Sequence, residues 1–362
     1  MRFQDFSIGK QILLPAIATL LIVFALMIGL SSQMAEQSAL IRAEIDLGNQ
    51  AKVIIGALDS EYEGAKSRGQ RQLHFLEQYV GGTPVMTGQL VPTGDIDLPE
   101  ISVNGVALNG NVMLMQQFVN LTGEDPTVLV VHQGKVYRAA TLLIGEGGLM
   151  LGKPLPDDAP ATKAILRGEL FQGLEVHDGR YSLNTVKPIL DMSGQPAGAL
   201  SVQINLDSEI ERIRKLYGSV VVGETGYIVI ARPTGNPDTI GEFIVHPRFA
   251  GKIMGDILQG DARESAIRNM AATDGVRRYP WPDGDTMRER LNVSAWSHSW
   301  NFQISASSWT DEFLAESQRL RWTLATISLV GLVLIALVIG WLVRNRLAPL
   351  GGVVDAVVSL GN

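Results

Sequence analysis

The chain has 362 residues, 46% hydrophobic, 19% charged and 6% aromatic, with a formal net charge of −7. That apolar and charged content excludes wholesale disorder, and the acidic balance argues against a nucleic-acid partner. Cysteine is absent, which excludes disulfide scaffolds, thiolate metal sites and thiol nucleophiles.

The first predicted element is an apolar span. Ile12 to Leu30 is nineteen residues without a charge, interrupted only by Pro15, Thr19 and Gly29. As a helix it crosses a hydrocarbon layer of about 30 Å. It exceeds the apolar core of a signal peptide, roughly 7–15 residues, so an uncleaved anchor over 12–30 is expected, after a cytoplasmic segment 1–11. Next, Ile41, Ile45, Ile54, Leu58, Tyr62, Ala65, Leu73, Leu76 and Val80 recur at three- and four-residue steps or their multiples. The spacing predicts a stalk helix within 31–82, about 70 Å long, closed by Gly81-Gly82 and Pro84. Gly48, Gly56, Gly64 and Gly69 weaken it by about 1 kcal/mol each.

From Pro84 the pattern changes to short strands bounded by Gly, Pro, Asp and Asn. Strands are predicted at Thr127–His132, Val136–Leu143, Tyr181–Leu190 and Pro196–Leu206. In the last, Leu200, Val202, Ile204 and Leu206 alternate with Ser201, Gln203 and Asn205, the mark of a half-buried antiparallel strand. Ser208-x-x-Glu211 reads as a capping box for a helix to about Tyr217. A second set follows at Gly226–Ala231, Glu242–His246, Gly275–Trp281, Met287–Ser297 and Asn301–Ser308, before a helix capped by Thr310. Each set closes with two long strands and an acidic helix start. The fold class is therefore α+β, with two related modules over 83–216 and 217–315 whose helices pack on antiparallel sheets.

Trp322 to Val343 is a second uncharged span of twenty-two residues. Arg2 and Lys10 before the first span, with Arg344 and Arg346 after the second, put both ends in the cytoplasm and residues 31–321 outside. Two basic groups and one acidic group lie at each end, so nine more acidic than basic residues remain between the spans. After Pro349, Val353, Val354, Val357 and Leu360 form an amphipathic helix over 344–362, too short to stand alone, with a continuation expected downstream. The seams of this helix and of the stalk suggest a parallel homodimer, with Ile41 and Leu58 at the subunit contact.

Hydrolase, calcium-loop and phosphate-loop motifs are missing, and the five histidines have no ligand spacing, so neither metal nor cofactor is expected. What remains is a recognition surface. Tyr181, Leu183, Thr185 and Lys187 share one strand face and could hold a small anion. Arg138 and Thr141 lie on a neighbouring strand, on opposite faces unless a bulge intervenes. In the second module Tyr279 and Trp281 share a face and Arg278 takes the other. Trp296, Trp300 and Trp309 read as core.

Several ordered motifs resemble a known family. Gly223-Glu-Thr-Gly-Tyr-Ile-Val-Ile230, Val245-His-Pro247, Gly251-Lys252, Arg278-Tyr-Pro-Trp281 and Trp300-Asn-Phe-Gln-Ile304 resemble the type-two Cache module. Asn120-Leu-Thr-Gly123, Thr127-Val-Leu-Val-Val131, Gly134-Lys-Val-Tyr-Arg138, Thr141, Gly152, Gly168, Tyr181, Pro188-Ile189 and Gly198-Ala-Leu200 resemble the type-three module. Together they resemble the fused double-Cache region of bacterial methyl-accepting chemotaxis receptors, and Arg346 to Leu360 resembles the first helix of a HAMP relay.

The resemblance implies a dimeric inner-membrane receptor with PAS-like modules in the periplasm, sensing a small solute, and an organic acid or other small anion or zwitterion is expected. It implies no enzymatic activity, the alternative being a membrane-anchored enzyme with an extracytoplasmic active site, which would need no cytoplasmic coiled coil. Its cytoplasmic partners would be a chemotaxis adaptor and histidine kinase, or else the chain would be the front end of a histidine kinase or diguanylate cyclase. Pocket candidates are Arg138, Thr141, Tyr181, Thr185 and Lys187 in the first module. Tyr227, His246, Arg278 and Trp281 form a secondary set in the second. The aspartate that often ends the type-two Gly-Tyr strand is Ala231 here, and the amino-acid signature of other double-Cache receptors is not recognisable.

Overall fold

The computed structural model describes residues 8–342 and 345, apart from 146, 178, 272, 273 and 285. Arg2, Arg344, Arg346 and the helix expected after Pro349 lie outside the described residues. Helix α1 (Ile8–Tyr79) is continuous, so the apolar span and the stalk form one rod of 72 residues, about 110 Å long. It ends where expected: Gly81 and Gly82 adopt φ of +104° and +126°, and the Gly82 N–H bonds to the Glu77 carbonyl at 2.8 Å.

The first module opens with a three-stranded antiparallel sheet, β1 (Val85–Thr93), β2 (Ile96–Val103) and β3 (Val106–Ala107). Helix α2 (Val112–Thr122) follows, capped by the Asn111 side chain and closed by Gly123 in the left-handed region. The remaining elements are β4 (Asp125–His132), β5 (Lys135–Ala140), the hairpin β6 (Ile144–Gly145) and β7 (Gly148–Leu149), α3 (Pro160–Leu166), β8 (Phe171–His177), β9 (Arg180–Leu190) and β10 (Pro196–Asn205). They build an antiparallel sheet of order β5-β4-β10-β9-β8.

Helix α4 (Asp207–Tyr217) joins the modules. The expected capping box is not used. The helix starts at Asp207 with no side-chain cap, because the Asp207 carboxylate accepts the Tyr181 N–H at 3.1 Å and Ser208 bonds to Glu209 instead. The second module contains β11 (Val221–Val222), β12 (Gly226–Pro233), β13 (Gly241–Val245), α5 (Met254–Ile257), α6 (Gly260–Ala271), β14 (Gly275–Asp283), β15 (Thr286–Ser297) and β16 (Phe302–Trp309). Its sheet has the order β11-β12-β16-β15-β14, with β13 paired to β12. Helix α7 (Thr310–Leu342) continues from β16 through the second apolar stretch. Two helices, α1 and α7, are thus long and apolar enough to cross a membrane. Glu36 and Arg321 face each other between them at 3.9 Å.

Both large sheets lay one face on α1. Leu47, Ala51, Leu58, Tyr62, Leu73 and Leu76 are buried there with strand residues of both modules. Each fully buried leucine contributes roughly 1.5–3 kcal/mol. The approach is close. A Cβ at Gly69 would collide with Thr185 Oγ1, so one helix-weakening glycine has a packing reason. The apolar set expected along the stalk divides between two surfaces. Ile41 and Ile45 are exposed, whereas Leu58 is 1% exposed and its carbonyl accepts the Trp300 indole N–H at 2.7 Å. Leu58 is therefore spent on the sheet, which removes it from the expected subunit seam. The opposite sheet faces are covered by α3 in the first module and by α5 and α6 in the second.

Candidate ligand-binding site

The residues expected to form the first pocket are not gathered in one place. Tyr181, Thr185 and Lys187 do share a face of β9, but that face lies on α1. Thr185 is fully buried beneath Gly69. Lys187 Nζ donates to Glu77 of α1 at 2.7 Å, and this bond holds the Glu77 carboxyl below its ordinary range. Tyr181 reaches beyond its own module. Its hydroxyl donates to Glu242 at 2.7 Å and accepts from Arg232 Nε at 3.1 Å.

Arg138 and Thr141 belong to the other face of the sheet. The register shifts between Val128 and Leu129, pairing Val128 with Ala140 and Leu129 with Arg138, which returns Arg138 and Thr141 to a common side. Arg138 Nη1 donates to the Pro154 carbonyl at 3.1 Å, and Thr141 Oγ1 lies 3.2 Å from Thr127 Oγ1. On this outer face Ser201 donates to Asn184, Asn184 to Glu175 and Gln203 to Glu175, at 2.7, 3.0 and 3.3 Å. The polar groups satisfy one another, with an acid at the centre.

The outer face of the second sheet is different. It holds a cavity of about 50 Å³. Ser305, Ser307 and Asn292 form its floor, Asn269 and Met270 of α6 its roof, and Tyr227, Phe243, His246, Tyr279 and Trp281 its walls. Three of the secondary candidates, Tyr227, His246 and Trp281, meet here. Arg278 does not, because it stands on the stalk side and its Nη2 donates to Glu44 of α1 at 2.9 Å.

The cation in the cavity is Arg290, which the sequence analysis did not single out. Its residue is 2% exposed. Nε donates to Ser307 Oγ at 3.0 Å, Nη2 to the Ser307 carbonyl at 3.3 Å, and the guanidinium carbon lies 3.9 Å from the Tyr227 ring centre. Trp309 stands on another side at 4.9 Å. Among the described residues, no carboxylate forms an ion pair with it. Glu312, the acid whose field reaches it, is bonded to Ser308 at 2.6 Å and to the Glu224 N–H at 3.2 Å. The signal in the sequence was Arg288-x-Arg290-x-Asn292, polar positions alternating along a strand whose middle, from Arg290 to Ser294, is buried.

A family model described as the Cache 3/Cache 2 fusion domain matches residues 32–323. The chain belongs to that family. The resemblance read from the Gly-Tyr and Pro-Trp motifs is thus shown, and the Cache region spans both modules and the outer part of α1. No curated protein matches the chain significantly. Among solved structures, the ligand binding domain of Mlp24 with asparagine is 14% identical, with 78% of this chain and 99% of that one covered at a TM-score of 0.44. The sensory domain of the Campylobacter jejuni chemoreceptor Tlp3 (CcmL) is 11% identical, over 78% and 99%, at 0.43. The extracellular domain of mmHK1S-Z2, named as a histidine kinase, is 12% identical, over 76% and 99%, at 0.40.

The electrostatics of the second Cache module follow from burial. His246 is 4% exposed, and its pKa is lowered to about 4 by desolvation first and then by the Arg290 and Arg248 charges. It is neutral at pH 7. Nδ1 accepts the Arg248 N–H at 3.1 Å, so the ring proton belongs to Nε2. Tyr279 is half-buried as a residue, yet burial of its hydroxyl pushes its pKa up to about 12 and keeps it a neutral phenol. Burial also lowers the pKa of Arg290, but from a value so high that it stays charged. Among the described residues no aspartate or glutamate lines the cavity. Its walls are neutral and its one lining charge is positive. A buried cation without a counterion is costly, and an entering anion relieves that cost.

Proposed function

We propose that this Cache chain is the sensory and membrane-crossing part of a chemoreceptor that detects a small organic anion outside the inner membrane. It passes the signal to a cytoplasmic chemotaxis adaptor and histidine kinase and catalyses no reaction itself. One observation carries this reading: a buried guanidinium with neutral hydrogen-bond partners faces the cavity of a family-typical sensory module. Arg138 and Lys187, the cations first expected to hold the solute, are engaged by Pro154 and Glu77 on opposite sheet faces. That engagement favours the membrane-proximal module as the ligand seat, with Arg290 taking the part expected of Arg278.

The cavity, about 50 Å³, suits a small solute. A carboxylate group meets Arg290, Ser307 and Asn292, while Phe243, Met254 and Trp281 receive its apolar part. An amino acid fits less well, because its ammonium group would find no carboxylate. The segments 12–30 and 322–343 serve as the membrane spans, and the exposed Ile41 and Ile45 face of α1 serves as the contact of a parallel homodimer.

The test uses the full chain in lipid nanodiscs, titrated by calorimetry with acetate, glycolate, pyruvate, glycine, alanine and methylamine. Binding of a carboxylate that is weakened about 10- to 150-fold by Arg290→Met is expected, since a charged hydrogen bond is worth about 1.5–3 kcal/mol. Binding of methylamine, or carboxylate binding indifferent to Arg290→Met, contradicts the reading.

A further inference from the structure

The contact between the modules contains a buried polar cluster that ligand recognition does not use. Tyr181, on β9 of the first module, is 2% exposed and places its ring edge-on to Phe302 of the second, at 6.2 Å. Its hydroxyl donates to Glu242, which is 7% exposed and also accepts from Arg232 Nη2 at 3.1 Å. Arg214 of α4 approaches the other Glu242 oxygen at 3.7 Å and donates through Nε to the Ile244 carbonyl at 3.2 Å. First module, connecting helix and second module therefore all close on one short strand.

That strand is β13, and its two faces have different tasks. Successive side chains alternate along a strand. Glu242 points into the module contact, while its neighbour Phe243 lines the cavity and packs on His246 at 4.8 Å. Among the described residues β13 pairs with β12 on one edge; on the other it meets the 251–253 segment through the Glu242–Ile253 bridge, the Phe243 N–H donating to the Lys252 carbonyl at 2.9 Å and the Gly251 N–H to the Phe243 carbonyl at 2.6 Å. The five-residue strand is thus held at both edges, and the Glu242 contacts add its tie to the first module.

We propose that Tyr181 is a positioning residue for the cavity of the second module. Acting through Glu242, it fixes β13 and with it the Phe243 and His246 wall, so the anion affinity of the membrane-proximal module depends on the state of the membrane-distal one. By reciprocity, anion binding against that wall alters the Tyr181 contact and is felt in the first module and in α4. The inference rests on the ligand reading above, and adds to it the route by which the two modules report to each other.

The test uses the full chain in nanodiscs, with whichever of acetate, glycolate or pyruvate binds most tightly. Tyr181→Phe keeps the ring and removes the hydroxyl. It should weaken binding about 3- to 30-fold, the range of coupling carried by a residue remote from the ligand. In a Glu242→Gln background the same substitution should add little, because the two act as one unit. A purely structural tie would not answer to ligand, so 3-fluorotyrosine at Tyr181 supplies the second readout: its fluorine signal should shift on carboxylate addition, and stay still in Arg290→Met. Should Tyr181→Phe fold poorly, Arg214→Gln frees β13 from the α4 side and should weaken binding in the same sense. Carboxylate binding that requires Arg290 but is unchanged in Tyr181→Phe and Arg214→Gln, with a silent fluorine signal, overturns the coupling and leaves the ligand reading intact. Loss of dependence on Arg290 overturns the ligand reading, and the coupling falls with it.

Discussion

The two modules are built to one plan and differ in what they leave over. In each, a hairpin partner, a second strand and then the last three strands in reverse order make the sheet, as β5-β4-β10-β9-β8 and β13-β12-β16-β15-β14. In each, one face rests on α1 and the other is roofed by short helices. On the first outer face Glu175 collects Asn184 and Gln203, and Arg138 is turned onto a backbone carbonyl. On the second, serines and an asparagine surround Arg290, no acid among the described residues joins them, and a cavity remains. The shared plan offers the same seat in each module, and on the proposed reading the charge left unbalanced selects the second for the solute.

The comparison sharpens first under acid. His246 is buried and neutral, with a pKa lowered to about 4 from an unfolded value of 6.5. Between those values the unfolded chain binds the extra proton, so stability falls as pH drops from 6.5 towards 4 and levels off below. The full effect is at most about 3 kcal/mol. All six tryptophans lie from Trp281 onward, so urea unfolding followed by tryptophan fluorescence reports the second module and α7. His246→Gln should flatten the pH dependence.

A smaller effect separates the glycines along α1. Gly69→Ala drives a methyl group into Thr185 and should cost about 1–3 kcal/mol. Gly64 faces open space, so Gly64→Ala should instead stabilise by up to about 1 kcal/mol. Calorimetric melting of the two variants checks both signs, and equal shifts would break the account of how the first module docks on the helix. The smallest effect belongs to Lys187. Its bond to Glu77 is partly solvated, so Lys187→Ala should change stability by about 1 kcal/mol or less and leave carboxylate affinity unchanged. A large loss of affinity would return the ligand to the first module.

Much of this architecture is legible in the sequence because the signals are local. The uncharged spans, the Gly81-Gly82 stop and the alternation at Leu200 to Leu206 need no tertiary information. The strand faces are legible too, since Tyr181, Thr185 and Lys187 do share one. Which face meets the stalk is not, because it depends on how the sheet docks, and that docking turns Thr185 and Lys187 towards α1 and Tyr181 into the neighbouring module. The sheet β1–β3 escaped notice in a segment punctuated by Gly, Pro and Asp, and β8 is an edge strand interrupted by Gly173. Ser208 looked like a cap until Tyr181 claimed Asp207. Tyr227, His246 and Trp281 came from the family resemblance. Arg290 needed the structure, since burial without an acid partner is a property of its surroundings and not of its neighbours in sequence.

The claim that unbalanced charge selects the ligand-binding module is tested most directly by one pair of variants. Carboxylate titration of the full chain in nanodiscs would compare Arg290→Met with Arg138→Met. The account predicts that Arg290→Met loses about 10- to 150-fold in affinity while the ligand-free second module is unchanged or stabilised, and that Arg138→Met binds as the parent does. Loss of binding in Arg138→Met with retention in Arg290→Met would contradict it.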